Sequence, residues 1–166
     1  MEMTTKGIQQ LIATHGTVFA GTRQSAAEAR KLIETISPDI EQHTAAICIT
    51  CTGVCCINRH ARYDLSDTIF LSALGLTVPE YASGIEETAP CRLLGNCGCT
   101  LHRSLRPYRC TWFFCAPLLD HIVEQYDPAA YRQFMKTLQA ITETRTRMIR
   151  DFEEAAAKIP RNRMRQ

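Results

Sequence analysis

Apolar positions recur at three- and four-residue steps over both ends of the chain, which predicts helices there. Near the N-terminus, Ser25 and Glu28 have the spacing of a capping box, and Ser37 followed by Pro38 predicts a second helix start. The apolar positions after each start lie on one helical face: Ala29, Ile33 and Ile36, then Ile40, His43 and Ile47. We therefore expect two helices before the first cysteine.

The C-terminal part carries the longest helical pattern. Asp127 is the predicted cap, Pro128 the first helical residue and Pro160 the stop. Only Arg145 interrupts the apolar stripe between them, which consists of Phe134, Leu138, Ile141, Met148, Phe152, Ala155 and Ile159. We interpret this stripe as packing on the N-terminal helices, with a homodimer through the C-terminal helix as the alternative.

The middle of the chain is less periodic. We predict helices over 65–76 and 118–126, a turn into a short helix over 77–80, and an irregular loop over 91–111. The expected fold is mainly α, with an irregular cysteine-rich metal-binding centre flanked by N- and C-terminal helices. As one domain over 1–166, it divides into a helical flank (1–47), the cysteine region (48–116), C-terminal helices (117–160) and a basic tail (161–166).

Composition supports a folded chain without a charge-driven partner. Hydrophobic residues make up 45% and charged residues 22%, close to globular averages. The net charge is +2, too balanced to indicate nucleic-acid binding. Neither a signal peptide nor an apolar run of membrane-spanning length is visible, so we expect no membrane association and a cytoplasmic location.

The nine cysteines are the strongest chemical signal. All lie between Cys48 and Cys115, and cytoplasmic thiols stay reduced, so a disulfide framework is not expected. Two segments carry them: Cys48, Cys51, Cys55 and Cys56, then Cys91, Cys97, Cys99, Cys110 and Cys115. We predict that both segments enclose metal. Buried structural cysteines and a redox dithiol are the alternatives.

Eight of these cysteines are the candidate ligands: Cys48, Cys51, Cys55, Cys56, Cys91, Cys97, Cys99 and Cys110. His60 and His102 are close enough in sequence to serve, but thiols are in excess. Residues 91–115 contain no acid and four arginines that would offset thiolate charge: Arg92, Arg103, Arg106 and Arg109. Trp112, Phe113 and Phe114 would exclude water from the site.

The cysteine spacing resembles that of a known family. Cys48-x-x-Cys51-x-x-x-Cys55-Cys56, followed by Cys99, the dipeptide Arg106-Pro107 and Cys110, is similar to the YkgJ-type cysteine-cluster proteins and their CxxCxxCC motif. Two departures are one extra residue before the vicinal pair and a longer spacer before Arg106. The resemblance implies a zinc- or iron-chelating centre, with Arg106 supporting the cofactor. It also implies distant kinship with flagellin lysine N-methylases.

The leading prediction is a metal-cluster protein that holds a [4Fe–4S] cluster or Zn²⁺. We favour iron–sulfur because the second segment offers C-x-C and C-x4-C spacings but no second CxxC knuckle. The alternatives are a cluster-dependent protein lysine N-methyltransferase and a zinc-type nucleic-acid or protein interaction module. Because no glycine-rich nucleotide fingerprint is present, whether the chain is an enzyme stays open, and the sequence names no protein partner.

Overall fold

The computed structural model describes residues 4–96 and 98–160 and is mainly helical, as the sequence pattern predicts. The helices are α1 (Thr5–Thr14), α2 (Ala20–Ile47), α3 (Leu65–Ala73), α4 (Arg109–Trp112), α5 (Ala116–Gln125) and α6 (Pro128–Ala157). Short 3₁₀ turns cover Cys48–Thr50, Asn58–Ala61 and Arg103–Leu105. Strands β1 (Leu94–Gly95) and β2 (Gly98–Cys99) form an antiparallel hairpin. Among the described residues, none of the helices combines the length and the apolar character that crossing a membrane requires.

The two predicted helix starts in the N-terminal part are wrong. Helix α2 runs without a break through Ser25, Ser37 and Pro38. The hydroxyl of Ser37 donates to the carbonyl of Ile33 at 2.6 Å, one turn earlier, instead of capping a new helix. Although Pro38 lacks an N–H, the buried stripe on either side of it continues from Ile33 to Ile40, so packing keeps the helix intact.

Helix α3 ends earlier than predicted, and residues 77–80 form no helix. Gly75 adopts a positive φ of 71°, which a glycine tolerates without strain. The N–H of Gly75 bonds to the carbonyl of Ser72, and the N–H of Leu76 bonds to that of Leu71. This pattern is a Schellman motif, which satisfies the last carbonyls of the helix and turns the chain away.

Two compact units make up the chain. The described residues of the first lie within Met1–Lys31, Tyr63–Pro79 and Ile141–Gln166. In this unit α1 packs on α3, and the ring of Phe19 stacks on that of Phe152 at 5.3 Å. The second unit lies within Leu32–Arg62 and Glu80–Ala140 and contains all eight described cysteines.

The C-terminal helix follows its prediction closely. Helix α6 starts at Pro128, and the carboxylate of Asp127 accepts from the N–H groups of Ala129 and Ala130 at 2.7 and 2.8 Å. All seven apolar residues of the predicted stripe are buried. The homodimer stays a prediction. The helix ends at Ala157, three residues before Pro160, and the basic tail over 161–166 lies outside the described residues.

Arg145, the residue that interrupts the stripe, forms a specific ion pair. The Nη2 atom of Arg145 donates to Oδ1 of Asp67 at 2.7 Å, and each side chain is only 5% exposed. Asp67 also closes the N-terminal capping box of α3 with Asp64. One buried carboxylate thus completes the cap of α3 and neutralises the arginine of α6.

We predict that Arg145→Ala lowers the free energy of unfolding by about 3–5 kcal/mol, because it leaves the buried carboxylate of Asp67 without its cation. Arg147→Ala is the matched control on the same helix. It removes an exposed pair with Glu28, which is worth about 0–1 kcal/mol. Urea unfolding of both variants measures the difference, and equal losses would contradict the prediction.

Candidate metal centre

The first cysteine segment begins where α2 ends. Cys48 opens a 3₁₀ turn, and the N–H of Cys51 donates to the carbonyl of Cys48 at 3.4 Å. A second tight turn follows, in which the N–H of Ile57 donates to the carbonyl of Cys55 at 3.0 Å. The segment therefore curls back on itself twice, as ligation by closely spaced thiols requires.

Backbone hydrogen bonds join the second cysteine segment to the first. The N–H of Cys91 donates to the carbonyl of Cys56 at 2.8 Å, and the N–H of Asn58 donates to that of Ala89 at the same distance. The fully buried amide of Asn58 also donates to the carbonyls of Ala82 and Ile85, at 3.0 and 2.9 Å. The loop before Cys91 is thus held by polar contacts to the first segment.

Cys99 is positioned by the β1–β2 hairpin. It pairs with Leu94, and the N–H of Thr100 donates to the carbonyl of Leu93 at 2.8 Å. Gly98 has a φ of 110°, a conformation that L side chains rarely adopt, so glycine permits this hairpin. Cys97 lies outside the described residues.

Glu41 of α2 binds two buried arginines of the second segment. Its Oε1 accepts from Nη2 of Arg103 at 2.9 Å and from Nη2 of Arg106 at 2.7 Å. The two arginine side chains are 2% and 8% exposed. Because each guanidinium is charged and desolvated, the shared carboxylate is the counter-charge that permits their burial.

The same guanidinium groups bond the backbone beside the cysteines. Arg103 Nη1 donates to the carbonyl of Cys110 at 2.7 Å. Arg106 Nε donates to the carbonyl of Leu101 at 2.8 Å, and its Nη2 reaches that of Cys99 at 3.4 Å. Arg106, the predicted cofactor residue, therefore lies at the cysteine region and holds the backbone of Leu101 and Cys99 with its planar fork.

Seven cysteine side chains line one cavity of about 120 Å³ in the second unit. They come from both segments: Cys48, Cys55, Cys56, Cys91, Cys99, Cys110 and Cys115. Cys115, which the sequence placed in the second group but not among the eight candidate ligands, sits at the N-cap of α5. Of the other candidates, Cys51 does not line the cavity. Its thiol donates to the carbonyl of Gly53 at 3.5 Å.

Burial and neighbouring thiols keep several of these cysteines protonated. Burial, followed by the nearby Cys55 and Cys115, raises the pKa of Cys48 to about 11. The pKa of Cys55 is raised to about 11 by burial and by Cys56 and Cys115, and a hydrogen bond joins the thiols of Cys55 and Cys115. A metal that binds here must displace their protons.

Other thiols also surround Cys110. Burial, followed by Cys99 and Cys56, raises the pKa of Cys110 to about 12. The pKa of Cys56 is also raised, by burial and then by Cys48, Cys91 and Cys99. Although surrounding atoms remove part of Cys56 from water, this residue keeps an exposed surface, whereas the other described cysteines are half-buried, so the cavity is accessible to an incoming ion.

Two buried donors in the cavity wall fit an anionic sulfur centre. Nε of Arg103 and Nε of Arg109 have no hydrogen-bond partner among the described residues, although both arginines line the cavity. Ligating thiolates would give these N–H groups the negatively charged acceptor that they lack. The described part of the chain contains no cluster of three Cys, His, Asp or Glu side chains already arranged to hold an ion. The cysteine sulfurs therefore suit metal binding by their chemistry, and binding would draw them closer together.

The histidines and aromatic residues have distinct positions. Nδ1 of His60 lies 3.1 Å from the carbonyl of Cys55, and His60 lines the cavity. Nδ1 of His102 lies 2.8 Å from the hydroxyl of Ser104. Phe113 and Phe114 line the cavity, whereas Trp112 is 45% exposed. Two of the three predicted aromatic residues therefore form its apolar wall.

No known protein family, curated protein or solved structure matches the chain. The similarity to the YkgJ-type cysteine-cluster proteins consequently stays a prediction from the motif spacing.

We predict that Glu41→Gln loosens the second cysteine segment. The amide keeps an acceptor oxygen but removes the negative charge between two buried guanidinium groups, so we expect a loss of about 1.5–3 kcal/mol in stability. Hydrogen exchange should increase over 99–111.

Glu87→Gln is the matched control for this change, because it weakens an exposed pair with Arg62 worth about 0–1 kcal/mol. If both variants left exchange over 99–111 at the wild-type rate, Glu41 would not hold the segment.

Proposed function

We propose that this chain is a metal-binding protein whose two cysteine segments jointly ligate a [4Fe–4S] cluster or Zn²⁺. The observation that carries the proposal is the single cavity lined by seven thiols from both segments. No carboxylate of the described residues lines it. Thiolate donors without carboxylates suit zinc and iron–sulfur clusters, whereas magnesium and calcium prefer oxygen ligands.

The size of the cavity favours a multi-atom group. Its volume of about 120 Å³ far exceeds the space of about 10–15 Å³ that a single water molecule needs. We therefore keep iron–sulfur as the first proposal and zinc as the second. An iron–sulfur cluster would supply electron storage, whereas zinc would supply a structural cross-link.

The buried arginines weigh against a nucleic-acid module. Arg103 and Arg106 are committed to Glu41 and to backbone carbonyls, and water reaches little of either side chain. Phosphate contacts require arginines at the surface. We therefore interpret the acid-free stretch over 91–115 as part of the cysteine site rather than as a basic face that binds nucleic acid.

We predict that protein purified without oxygen is brown and contains about four irons and four sulfides per chain. Iron, zinc and acid-labile sulfide assays on the same sample decide between the metals. Cys110→Ser should reduce metal content, whereas the neighbouring Thr111→Ser should keep it. Colourless protein with stoichiometric zinc would overturn iron, and protein free of both would overturn the proposal.

We also predict that chelation of the metal raises hydrogen exchange over 91–111 while α6 stays protected. The cysteine region holds much of its structure through polar contacts and ligation, whereas α6 has its own buried stripe and cap. Exchange measured by mass spectrometry on loaded and stripped protein tests this. Equal exchange over 91–111 in both samples would contradict it.

A further inference from the structure

Two histidines face each other between α2 and α5 in the second unit. The ring centroid of His43 lies 5.3 Å from that of His121, and the two ring planes meet at 78°. His43 is only 3% exposed, although histidine is the side chain that most readily changes its charge near neutral pH. Neither residue lines the cavity of the cysteines, so the proposed metal binding gives this pair no role.

One acid, one phenol and the second imidazole are the titratable groups that act on His43 among the described residues. Asp39 lies one turn earlier on α2, and its carboxylate also accepts a hydrogen bond from the hydroxyl of Tyr126. The ring of Tyr126, which follows α5, packs edge-on against His43 at 4.9 Å. Tyr126 packs in turn against the ring of Phe134 of α6 at 5.7 Å. Asp39 is therefore the counter-charge for a proton on His43, and it is shared with Tyr126.

This environment favours the neutral form of His43. Burial, followed by the neighbouring His121, lowers the pKa of His43, and the attraction of Asp39 opposes this shift only in part. If both imidazoles took up protons, two like charges would meet in a contact that water cannot fully solvate. The closed pair therefore binds protons less readily than two separated histidines, so a lower pH favours separation.

The same two helices bring cysteines to the cavity. Cys48, five residues after His43, directly follows the end of α2, and Cys115, six residues before His121, is the N-cap of α5. Both cysteines line the cavity, and Cys115 is a close neighbour of Cys48. The two helices are therefore antiparallel here, with the histidines about 8 Å along the helix axes from the cysteines. A separation at the histidines would also displace the cavity wall.

We propose that His43 and His121 form an acid-sensitive latch that closes the cavity of the cysteines. At neutral and alkaline pH the two imidazoles pack against each other and hold α2 beside α5. In acid, protonation of the pair separates the two helices and exposes Cys48 and Cys115. The latch acts on the cavity itself and requires no bound metal, so its test is independent of the proposed function.

The test follows opening in the full, reduced chain after chelation, at about pH 8 and about pH 5, on either side of the usual histidine pKa. Hydrogen exchange over 43–48 and 115–121, corrected for its intrinsic pH dependence, reports separation of the helices. Labelling with dithiodipyridine, which reacts with thiols even in acid, reports access to Cys48 and Cys115. The equilibrium constant for opening should rise in acid by up to about tenfold per pH unit, because opening takes up a proton at His43.

Three variants assign the response to the pair. His43→Gln removes the buried titratable group and should abolish most of the acid response, and His121→Gln removes the repulsion and should weaken it. His15→Gln is the matched control, because it removes a histidine of the first unit and should keep the full response. Comparing the ratio of acid to alkaline rates between variants cancels the intrinsic reactivity of the thiols. A wild-type chain without the response, or a full response in His43→Gln, would overturn the latch.

Titration of the wild-type protein as purified keeps the inference testable if chelation or a variant unfolds the chain, which circular dichroism would reveal. The NMR signal of His43 should titrate below the usual histidine range, and a pKa at or above that range would overturn the latch. Exchange over 141–157 of α6 should stay slow throughout the titration. Loss of protection there in the same pH interval would indicate general unfolding and would also overturn the latch.

Discussion

The cysteine region depends on one carboxylate placed between two buried cations. Arg103 and Arg106 are almost completely removed from water, and a desolvated guanidinium without a counter-charge is strongly destabilising. Glu41 supplies that charge from α2, while Nη1 of Arg103 and Nε of Arg106 donate to carbonyls of the second segment. A regular helix thereby fixes a stretch that has almost no regular structure of its own.

This arrangement also determines the electrostatics of the cavity. Burial and crowding keep the thiols protonated, since they raise the pKa of Cys48, Cys55 and Cys110 well above neutrality. The Nε groups of Arg103 and Arg109 have the opposite requirement, because they are buried donors that find no acceptor among the described residues. A metal bound by these thiols, as proposed, would resolve both problems, since it would remove thiol protons and create negatively charged sulfur.

The parts of the fold that follow from local chemistry were predictable from the sequence. The cap at Asp127 and the stripe of α6 need only neighbouring residues, and both appear in the structure. Helix α2 did not follow its local signals, because tertiary burial outweighed the helix start that Ser37 and Pro38 predict. The role of Glu41 was not predictable, since its partners lie 62 and 65 residues away. The absence of acids over 91–115 signalled only that a counter-charge had to come from elsewhere.

The meeting of the two cysteine segments escapes sequence reasoning for a related physical reason. Spacing predicts which cysteines share a turn, as Cys48 and Cys51 do. It cannot show that the N–H of Cys91 bonds the carbonyl of Cys56, or that Cys115 at the start of α5 lines the same cavity as Cys48 and Cys55. Both features depend on how residues far apart in the sequence pack together. The irregular spacing of the second segment is therefore consistent with backbone contacts, rather than short knuckles, bringing its cysteines to the cavity.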